Sequence, residues 1–552
     1  MRLIIHSMDH QEWIKEYDLP VTVEEVMMEI EDELLYPVFL CRINGITHRL
    51  NLVVDDDCEI ELLDVRDRAA YISYQTSISF LYITAVHQVL GKNVRVTVDN
   101  TLSKGLYTSI RTSGIDQDTL NAIDQRMREL AEQDLPLIGR KMTREELIEI
   151  LTEYKRYDHL KILESVPDLD FANLYSLDNE IAVFYTDLVC STRYLNLFEL
   201  RRYKNGVILR YPRSSSPHHI PEFVEEPKMY EVFAEETRWD KLLGITFAYD
   251  LNRHFLKNSY LDLILLSEAL HEKKIAMIAE EIHQQKKRLI LIAGPSSSGK
   301  TTFARRLCIQ LRVTGLKPLY LGTDDYFKER DETPLGPDGE KDFESLGAVD
   351  IELFTRQMND LLEGKKVDLP EFDFIHGTKV YGKRLTTLES GQPIVIEGIH
   401  GLNPKLTEAI PDEEKYRIFI SPLTQLNIDG YNRISTTDAR MLRRMVRDNR
   451  TRGNNAAMTI RSWPKVRAGE DVNINPYNSE ADAFFNSHCI YELAVLKKYA
   501  KPLLMEITQD MPEYPEAQRM LEFLEFFVEM PDDTLIPNNS IMREFIGGSV
   551  LV

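Results

Sequence analysis

The stretch "RLILIAGPSSSGKTTFARRLCIQL", residues 288–311, combines an apolar run, a glycine-containing loop and an amphipathic run. Its centre fits the pattern G-x-x-x-x-G-K-[ST], in which an apolar strand precedes the loop and a helix follows it. Glycines let backbone N–H groups curl around phosphate oxygens, and the helix N-terminus adds positive potential. A chance match within a Ser/Gly turn would not bring a strand and a helix to the correct sides. The stretch therefore predicts a nucleotide-phosphate loop.

Individual residues of this loop have expected roles. Lys300 is expected to reach the β- and γ-phosphates of ATP, and the hydroxyl of Thr301 is expected to bind Mg²⁺. ATP and Mg²⁺ are therefore the expected cofactors. The residues expected to contact ATP are Gly294, Pro295, Ser296, Ser297, Ser298, Gly299, Lys300, Thr301 and Thr302.

Secondary-structure patterns divide the chain into segments. Strand and helix patterns alternate over about 285–510, which predicts an α/β fold with a parallel sheet and helices on both faces. Residues 1–65 predict a small α/β unit in which Thr22 and Glu25 form a capping box. Residues 66–225 mix helices and strands, 226–284 predict a helical connector, and 511–552 predict a helix and a tail.

Composition narrows the class of protein. The 552 residues carry a formal net charge of −23, which argues against a general polyanion-binding surface because nucleic-acid affinity depends on phosphate neutralisation. The five cysteines are scattered, which favours free thiols in a reducing cytosol over a disulfide framework. The N-terminus has no long apolar region typical of a signal peptide, and no run reaches the roughly 18 apolar residues of a membrane span. We expect a cytoplasmic protein with no membrane partner.

Acidic residues follow two further apolar runs. "YLGTDDYFK", 320–328, predicts a strand that ends at Asp324 and Asp325, and "PIVIEGIHGL", 393–402, brings Glu397 to the same edge of the sheet. Ligands bind at this carboxyl edge. A carboxylate there can accept the proton of an attacking alcohol. Because neighbours on a strand point to opposite faces, we expect only one of the two aspartates to do chemistry. Helix caps or loop residues are the alternative interpretation.

A basic helix could neutralise the transferred phosphate. In "TDARMLRRMVRDNRTRGN", 437–454, Arg440, Arg444 and Arg447 share one predicted helix face. The stripe has few acidic partners in its pattern, so we expect a lid that closes on phosphate. A solvated helix face is the alternative.

These motifs together resemble the uridine–cytidine kinase and phosphoribulokinase family of P-loop kinases. The matching pieces run in order through about 215 residues and are "GPSSSGKTT", "TDDYFK", "DFESLGAVD", "LPEFDF", "IVIEGIHGL", "DARMLRRMVRDNRTRG" and "EADAFFNS". The resemblance implies that Asp324 acts as the base toward a 5′-hydroxyl and neighbours the metal, and that Glu397 is the metal-side carboxylate. It further implies that Glu344 contacts ribose hydroxyls and that Arg444 lies on the ribose side.

The same resemblance implies lid and base-binding roles. Arg447 and Arg452 match the lid arginines that close on phosphate, so the expected catalytic residues are Asp324, Lys300, Arg447 and Arg452. The expected substrate-binding residues are Glu344, Phe372, Phe374, His376 and Arg444.

Departures from the pyrimidine-specific pattern cluster around the base. The family has Tyr where this chain has Phe372, His where it has Gly377, and Arg where it has Asn454, while His376 comes one residue early. A site that hydrogen-bonds its substrate discriminates strongly, so these changes leave the acceptor less defined than the phosphate chemistry.

The N-terminal half resembles a different family. Residues 1–65 resemble a TGS domain, a small β-grasp unit, and residues 66–225 resemble the editing-like α+β domain of threonyl-tRNA synthetase. That domain builds a metal site from two His/Cys pairs, whereas this chain has Gln75 and Ser79 at the first pair and Phe184 and Leu188 at the second. These side chains cannot rebuild a His/Cys zinc site. We expect no zinc and no aminoacyl hydrolysis; a regulatory, ligand-sensing, RNA-contacting, scaffold or dimerisation role stays open.

The preferred hypothesis is an ATP- and Mg²⁺-dependent kinase that phosphorylates the 5′-hydroxyl of a nucleoside, with uridine or cytidine first. One alternative is a kinase of another sugar or sugar-phosphate hydroxyl. The other is an RNA-linked regulatory protein with a nucleotide switch, in which the N-terminal half contacts tRNA. The expected partner is a small-molecule nucleoside or sugar, tRNA is the less favoured partner, and a homo-oligomer is left open.

Overall fold

The computed structural model describes residues 1–112, 114–336, 339, 341–373, 376–424 and 426–552. The chain forms two compact units, each assembled from separate segments. The first unit comprises Met1–Asn258, Gln425–Ser435 and Lys501–Glu529. The second comprises Ser259–Thr424, Thr436–Ala500 and Met530–Val552. No helix in the described part of the chain is both long and apolar enough to cross a bilayer.

The first unit begins with a five-stranded mixed sheet in the order β2-β1-β7-β4-β5, in which only the β1–β7 pair is parallel. Helix α1 starts at the predicted capping box, because Thr22 accepts from the Glu25 amide while Glu25 accepts from Thr22. The elements are β1 (Arg2–Ser7), β2 (Glu12–Glu16), β3 (Val21–Thr22), α1 (Val23–Met28), β4 (Val38–Ile43), β5 (Ile46–Arg49), β6 (Val53–Val54) and β7 (Cys58–Asp64).

The rest of the first unit packs helices around a four-stranded sheet, β13-β14-β9-β8, and a three-stranded sheet, β10-β11-β12. Its elements are α2 (Arg68–Leu90), β8 (Val96–Leu102), β9 (Gly105–Ile110), α3 (Gln117–Glu132), β10 (Ile138–Thr143), α4 (Arg144–Glu153), α5 (Tyr157–Ser165), β11 (Phe171–Leu177), β12 (Glu180–Phe184), β13 (Glu199–Tyr203), β14 (Gly206–Arg210), α6 (Pro227–Leu243) and α7 (Ala248–Leu256). The long helix α2 is buried on most sides and forms the centre of the core.

The second unit has the predicted α/β architecture. Its sheet has the order β16-β19-β15-β20-β21, and every neighbouring pair is parallel. Its elements are α8 (Tyr260–Gln285), β15 (Leu289–Ala293), α9 (Lys300–Val313), β16 (Leu319–Gly322), α10 (Ile351–Leu362), β17 (Val367–Asp373), β18 (Thr378–Thr386), β19 (Ile394–Glu397), α11 (Pro404–Thr407), β20 (Lys415–Ser421), α12 (Thr436–Arg452), α13 (Ala456–Asn473), β21 (Ala483–Asn486), most of α14 (Glu492–Met505) and, after α15 (Tyr514–Glu525) of the first unit, α16 (Ile541–Ile546).

Strand alternation divides the apolar residues of this sheet between two cores. In β15, Leu289 and Leu291 join the cluster beneath α10, whereas Ile290 and Ile292 join the cluster beneath α8 and α9. A strand buried on both faces therefore reads as a continuous apolar run. Helix α8 belongs to this unit, although its residues fall within the predicted connector.

Candidate active site

The phosphate loop joins β15 to α9 and depends on its glycines. A Cβ at Gly294 would lie 2.0 Å from the carbonyl oxygen of Ile420 on β20, so only glycine fits there. Gly299 has φ of 82° and Ser297 has φ of 60°, both in the left-handed region. Lys300 Nζ donates to the carbonyl oxygens of Gly294 at 3.0 Å and of the next residue at 3.2 Å. The ammonium therefore lies inside the loop, beside the space for phosphate.

Glu397 lies at the end of β19 and contacts the start of α9. Its Oε1 accepts from Thr301 Oγ1 at 2.9 Å and from the Tyr320 hydroxyl at 3.0 Å. Burial raises the pKa of Glu397, and the Lys300 ammonium opposes that rise. Tyr320 is a site residue that the sequence analysis missed, although its place on β16, four residues before Asp324, was visible.

The two aspartates do not lie on a strand, so strand alternation was the wrong reason to separate them. Strand β16 ends at Gly322, and Asp324 and Asp325 belong to the 3₁₀ turn Thr323–Tyr326. Asp325 Oδ2 accepts from Arg384 Nη1 at 2.7 Å, an ion pair with β18. The turn thus gives Asp325 a contact with β18 that Asp324 does not share.

Asp324 stands near the other charges of the loop. Water reaches its side chain, yet the surrounding walls of the cleft desolvate it. This desolvation and the repulsion from Glu397 raise the pKa of Asp324 to about 6, although attraction by Lys300 opposes the rise. A carboxyl group with this pKa is ionised at neutral pH and can still accept a proton effectively.

Glu344 approaches the same cleft from the loop before α10. Glu344 is half-buried. Burial raises the pKa of its carboxyl group, and the positive charges of Arg444 and Lys300 oppose this rise. A Cβ at Gly469 on α13 would lie 3.3 Å from the Glu344 Cβ, so the base of the Glu344 side chain packs close to α13. His400, which the sequence analysis also missed, is 1% exposed beside the Glu344 and Ser345 backbone, and burial lowers its pKa to about 4. His400 is therefore neutral at physiological pH.

The arginines of α12 have more acidic partners than their sequence pattern indicated. Asp448, 1% exposed on the same helix, lies 3.4 Å from Arg444 Nε, 2.7 Å from Arg447 Nη2 and 3.6 Å from Arg452 Nε. The expectation of a stripe with few acidic partners is wrong, because this one buried carboxylate contacts Arg444 and Arg447 of the stripe as well as Arg452. Its spacing from these arginines on the helix was a readable signal.

Arg440, which was expected to share the helix face of the lid, is buried and paired. It is 2% exposed and forms a bidentate ion pair with Glu470 of α13, with Nη1 3.0 Å from Oε2. Its Nε donates to the Ser296 carbonyl at 3.0 Å, while Arg444 Nη1 donates to the Ser296 hydroxyl at 3.0 Å. Helix α12 is thereby tied to the phosphate loop at two points.

The residues expected near a base make contacts within the protein. Phe372 is 6% exposed and packs edge-on against Phe327, with ring centroids 5.8 Å apart, so little of its ring is open to a ligand. His376 is exposed, and its Nδ1 lies 2.6 Å from Asp373 Oδ2. Phe374 lies outside the described residues.

The oxygen set around the loop fits magnesium. Mg²⁺ prefers hard oxygen ligands, and carboxylates with raised pKa values mark a site where added positive charge is favourable. Thr301 and Glu397 are already in contact, and Asp324 is electrostatically coupled to Glu397. These residues would hold the ion.

Comparison with known proteins gives a family for this site. Residues 289–493 match the model of the Phosphoribulokinase / Uridine kinase family. The uridine kinase of Mycoplasma genitalium is 31% identical over 180 residues, which cover 33% of this chain and 75% of that protein. The chain belongs to this family. The uridine kinase of Deinococcus deserti is also similar, at 26% identity over 175 residues, 32% of this chain and 75% of that protein.

Membership of the phosphoribulokinase/uridine kinase family makes the chain a phosphotransferase with an alcohol acceptor, and it implies the use of ATP and Mg²⁺. A second similarity involves the N-terminal part. The threonine–tRNA ligase of Methylobacillus flagellatus is 26% identical over 191 residues, which cover 34% of this chain and 29% of that protein.

The four positions that the sequence pattern matched to metal ligands of threonyl-tRNA synthetase make other contacts in this structure. Gln75 Nε2 donates to the Tyr211 hydroxyl, and Ser79 Oγ donates to the Thr76 carbonyl at 2.8 Å. Phe184 and Leu188 are buried in the core of the first unit. These positions are filled with packing and local hydrogen bonds.

Proposed function

We propose that the chain transfers the γ-phosphoryl group of ATP to the 5′-hydroxyl of a nucleoside, with uridine and cytidine as the first candidates. The observation that carries the proposal is the set of charges around one cleft. Asp324, with a pKa of about 6, is electrostatically coupled to Lys300 and Glu397, and both of these contact the phosphate loop or its helix. A base, a cation and a metal-ligating carboxylate at one loop are the groups that phosphoryl transfer requires.

In the proposed reaction Asp324 accepts the proton of the acceptor hydroxyl as its oxygen attacks the γ-phosphorus. The bond from that phosphorus to the β,γ-bridging oxygen breaks, and ADP carries away the electron pair. Lys300 and the loop amides hold the phosphates, while Arg447 and Arg452 neutralise the developing charge. Thr301 and Glu397, with Asp324 nearby, would hold Mg²⁺, which would supply additional positive charge at the phosphates.

The acceptor assignment rests on Glu344 and on relatives named as uridine kinases. A half-buried carboxylate that opens to the cleft can accept hydrogen bonds from the vicinal hydroxyls of a ribose. Arg444, whose charge is coupled to Glu344, would orient that carboxylate. Nucleosides and pentose derivatives share these hydroxyls.

A second candidate acceptor is another sugar or sugar-phosphate hydroxyl. It is favoured by the base side of the cleft, where Phe372 is packed into the core and His376 is held by Asp373. Neither group is free to read a pyrimidine edge in the described arrangement.

A substrate panel separates the two candidates. Purified full-length protein would be incubated with radiolabelled ATP, Mg²⁺ and separate nucleosides, pentoses or pentose phosphates, with Asp324→Asn as the catalytic control. We expect uridine or cytidine to give the highest kcat/KM. Turnover of a sugar with none of any nucleoside would refute the first candidate and support the second.

For the N-terminal half we propose a TGS-like and editing-like module without hydrolytic activity. The support is the similarity to threonine–tRNA ligase, together with the absence of His and Cys at the four positions matched to metal ligands, Gln75, Ser79, Phe184 and Leu188. Binding to tRNA can be measured by gel shift. The net charge of −23 predicts that tRNA binds weakly and that salt weakens the binding further. Tight binding of tRNA at physiological salt would contradict the expectation that tRNA is the less favoured partner.

A further inference from the structure

The C-terminal helix α16 brings a carboxylate to the phosphate loop of the second unit. Glu544 Oε2 accepts from Thr302 Oγ1 at 2.6 Å and from the Thr302 backbone N–H at 3.3 Å. Thr302 is fully buried and Glu544 is 9% exposed. A chain segment more than two hundred residues away in sequence thus binds the first turn of α9.

Apolar contacts press the same helix onto the loop. Ile541 and Phe545 are fully buried in the core that contains Phe303 of α9. A Cβ at Gly299 would lie 2.7 Å from Ile541 Cγ2, so the Ile541 side chain rests directly on the loop glycine. Helix α16 therefore packs against the end of the loop at Gly299 and against the start of α9.

Three hydrogen bonds hold the two ends of α16. At its start, Ser540 Oγ donates to the buried carboxylate of Glu268 at 2.6 Å. At its end, Arg450 of α12 donates from Nη2 to the Glu544 carbonyl at 2.9 Å and from Nε to the Phe545 carbonyl at 3.2 Å. A cation at the last carbonyls of a helix is favourable, so α12 stabilises the docked position.

The Thr302 amide belongs to the donors that an anion uses at such a loop. It lies in the first turn of α9, where backbone N–H groups lack helical partners. In phosphate loops these groups donate to phosphate oxygens. The Glu544 carboxylate oxygen therefore stands in for a phosphate oxygen. One N–H cannot donate fully to both, and a carboxylate beside a triphosphate is repelled.

We propose that α16 is an autoinhibitory segment whose Glu544 occupies part of the phosphate site and must leave before ATP binds. The inference rests on the proposed use of ATP at this loop and adds its regulation. The closed chain binds ATP only in the fraction of molecules in which α16 has moved, so the apparent affinity is reduced by that fraction.

The test is the ATP affinity of full-length Glu544→Gln, measured by calorimetry with Mg²⁺ present. Glutamine keeps the size of the side chain but loses the charge, which weakens its hydrogen bonds and removes repulsion from phosphate. We expect the variant to bind ATP about tenfold more tightly than the wild type, because the docked state loses stability. Glu408→Gln, an equal charge change at an exposed position after α11, is expected to leave affinity unchanged.

Hydrogen exchange of the unaltered protein provides a second measurement that does not depend on a variant folding. Saturating ATP and Mg²⁺ should speed exchange of the α16 amides and slow exchange in the phosphate loop. Equal or weaker ATP binding by Glu544→Gln, or slower exchange in α16 with ATP, would overturn the autoinhibition. Absence of ATP binding to every variant would instead refute the proposed function. Tight ATP binding without phosphate transfer would refute only the kinase activity.

Discussion

Replacing Asp324 with asparagine should remove activity while making the protein more stable at neutral pH. The side chain keeps its size, but it can no longer accept a proton. General-base catalysis contributes about 10²–10⁴-fold, so kcat should fall by a factor in this range. ATP affinity should change little, since Lys300 and the loop amides hold the phosphates.

The pH dependence follows from the pKa of about 6. Because the ionised carboxylate is the active form, wild-type kcat/KM for the acceptor should rise tenfold per pH unit below about pH 6 and level off above it. The residual activity of Asp324→Asn should not show this rise with pH. A coupled assay of ADP release from pH 5 to 8 measures both profiles.

The stability effect has the opposite sign to the activity effect. The pKa of Asp324 is higher in the folded state than the ordinary 3.8, so the folded protein binds a proton more readily than the unfolded chain. The contribution of Asp324 to the free energy of unfolding is therefore most favourable below about pH 4, and it is lost as the pH rises through about 6. The rise in pKa corresponds to about 3 kcal/mol if fully expressed, and water access at the cleft reduces this to about 1 kcal/mol.

Urea denaturation at pH 7.5 should therefore show Asp324→Asn to be about 1 kcal/mol more stable than the wild type, with a smaller difference at pH 5. Asp325→Asn is the matched control. It loses the ion pair with Arg384, so it should lower stability by up to about 1 kcal/mol and affect kcat much less than Asp324→Asn. Equal losses of kcat in the two variants, or an unchanged rise with pH in Asp324→Asn, would refute the reasoning.

Three further predictions concern the loop and α12. Gly294→Ala should abolish ATP binding in calorimetry, because its Cβ would lie 2.0 Å from a β20 carbonyl oxygen; retained wild-type affinity would contradict this geometry. Glu470→Gln should destabilise the protein by about 3–5 kcal/mol in urea denaturation, because it leaves the buried Arg440 guanidinium without its counter-charge; a change below about 1 kcal/mol would count against the buried pair. Asp448→Asn should raise the KM for ATP several-fold in steady-state kinetics, because the arginines of α12 lose their common partner, whereas an unchanged KM would mean that Asp448 does not position them.

The parallel sheet and the phosphate loop could be predicted because their signals are local. An apolar strand, a loop with glycines at fixed positions and an amphipathic helix follow one another within residues 288–311. Each needs only its own sequence neighbours to be recognised. The capping box of Thr22 and Glu25 was readable for the same reason, and the structure confirms it.

The remaining features of the site depend on contacts between distant segments. The ion pairs Arg384–Asp325 and Arg440–Glu470 join residues that are 59 and 30 positions apart, and sequence periodicity does not predict such a pair. The aspartate pair was assigned to a strand because its apolar neighbours continue the β pattern. The chain instead turns into a 3₁₀ helix at Thr323, directly after Gly322, although glycine and aspartate favour turns over strands.

Charge balance around Lys300 connects the catalytic and regulatory proposals. Four carboxylates act on this ammonium, those of Glu397, Asp324, Glu544 and Glu344, while burial lowers its pKa. Three of them have proposed roles with metal or acceptor, and those roles persist when ATP binds. Glu544 has no such role, and its hydrogen bonds to Thr302 use donors that phosphate requires. Adding a triphosphate to a cleft that retains all four would increase repulsion among like charges, so the departure of Glu544 is the least costly way to admit the nucleotide.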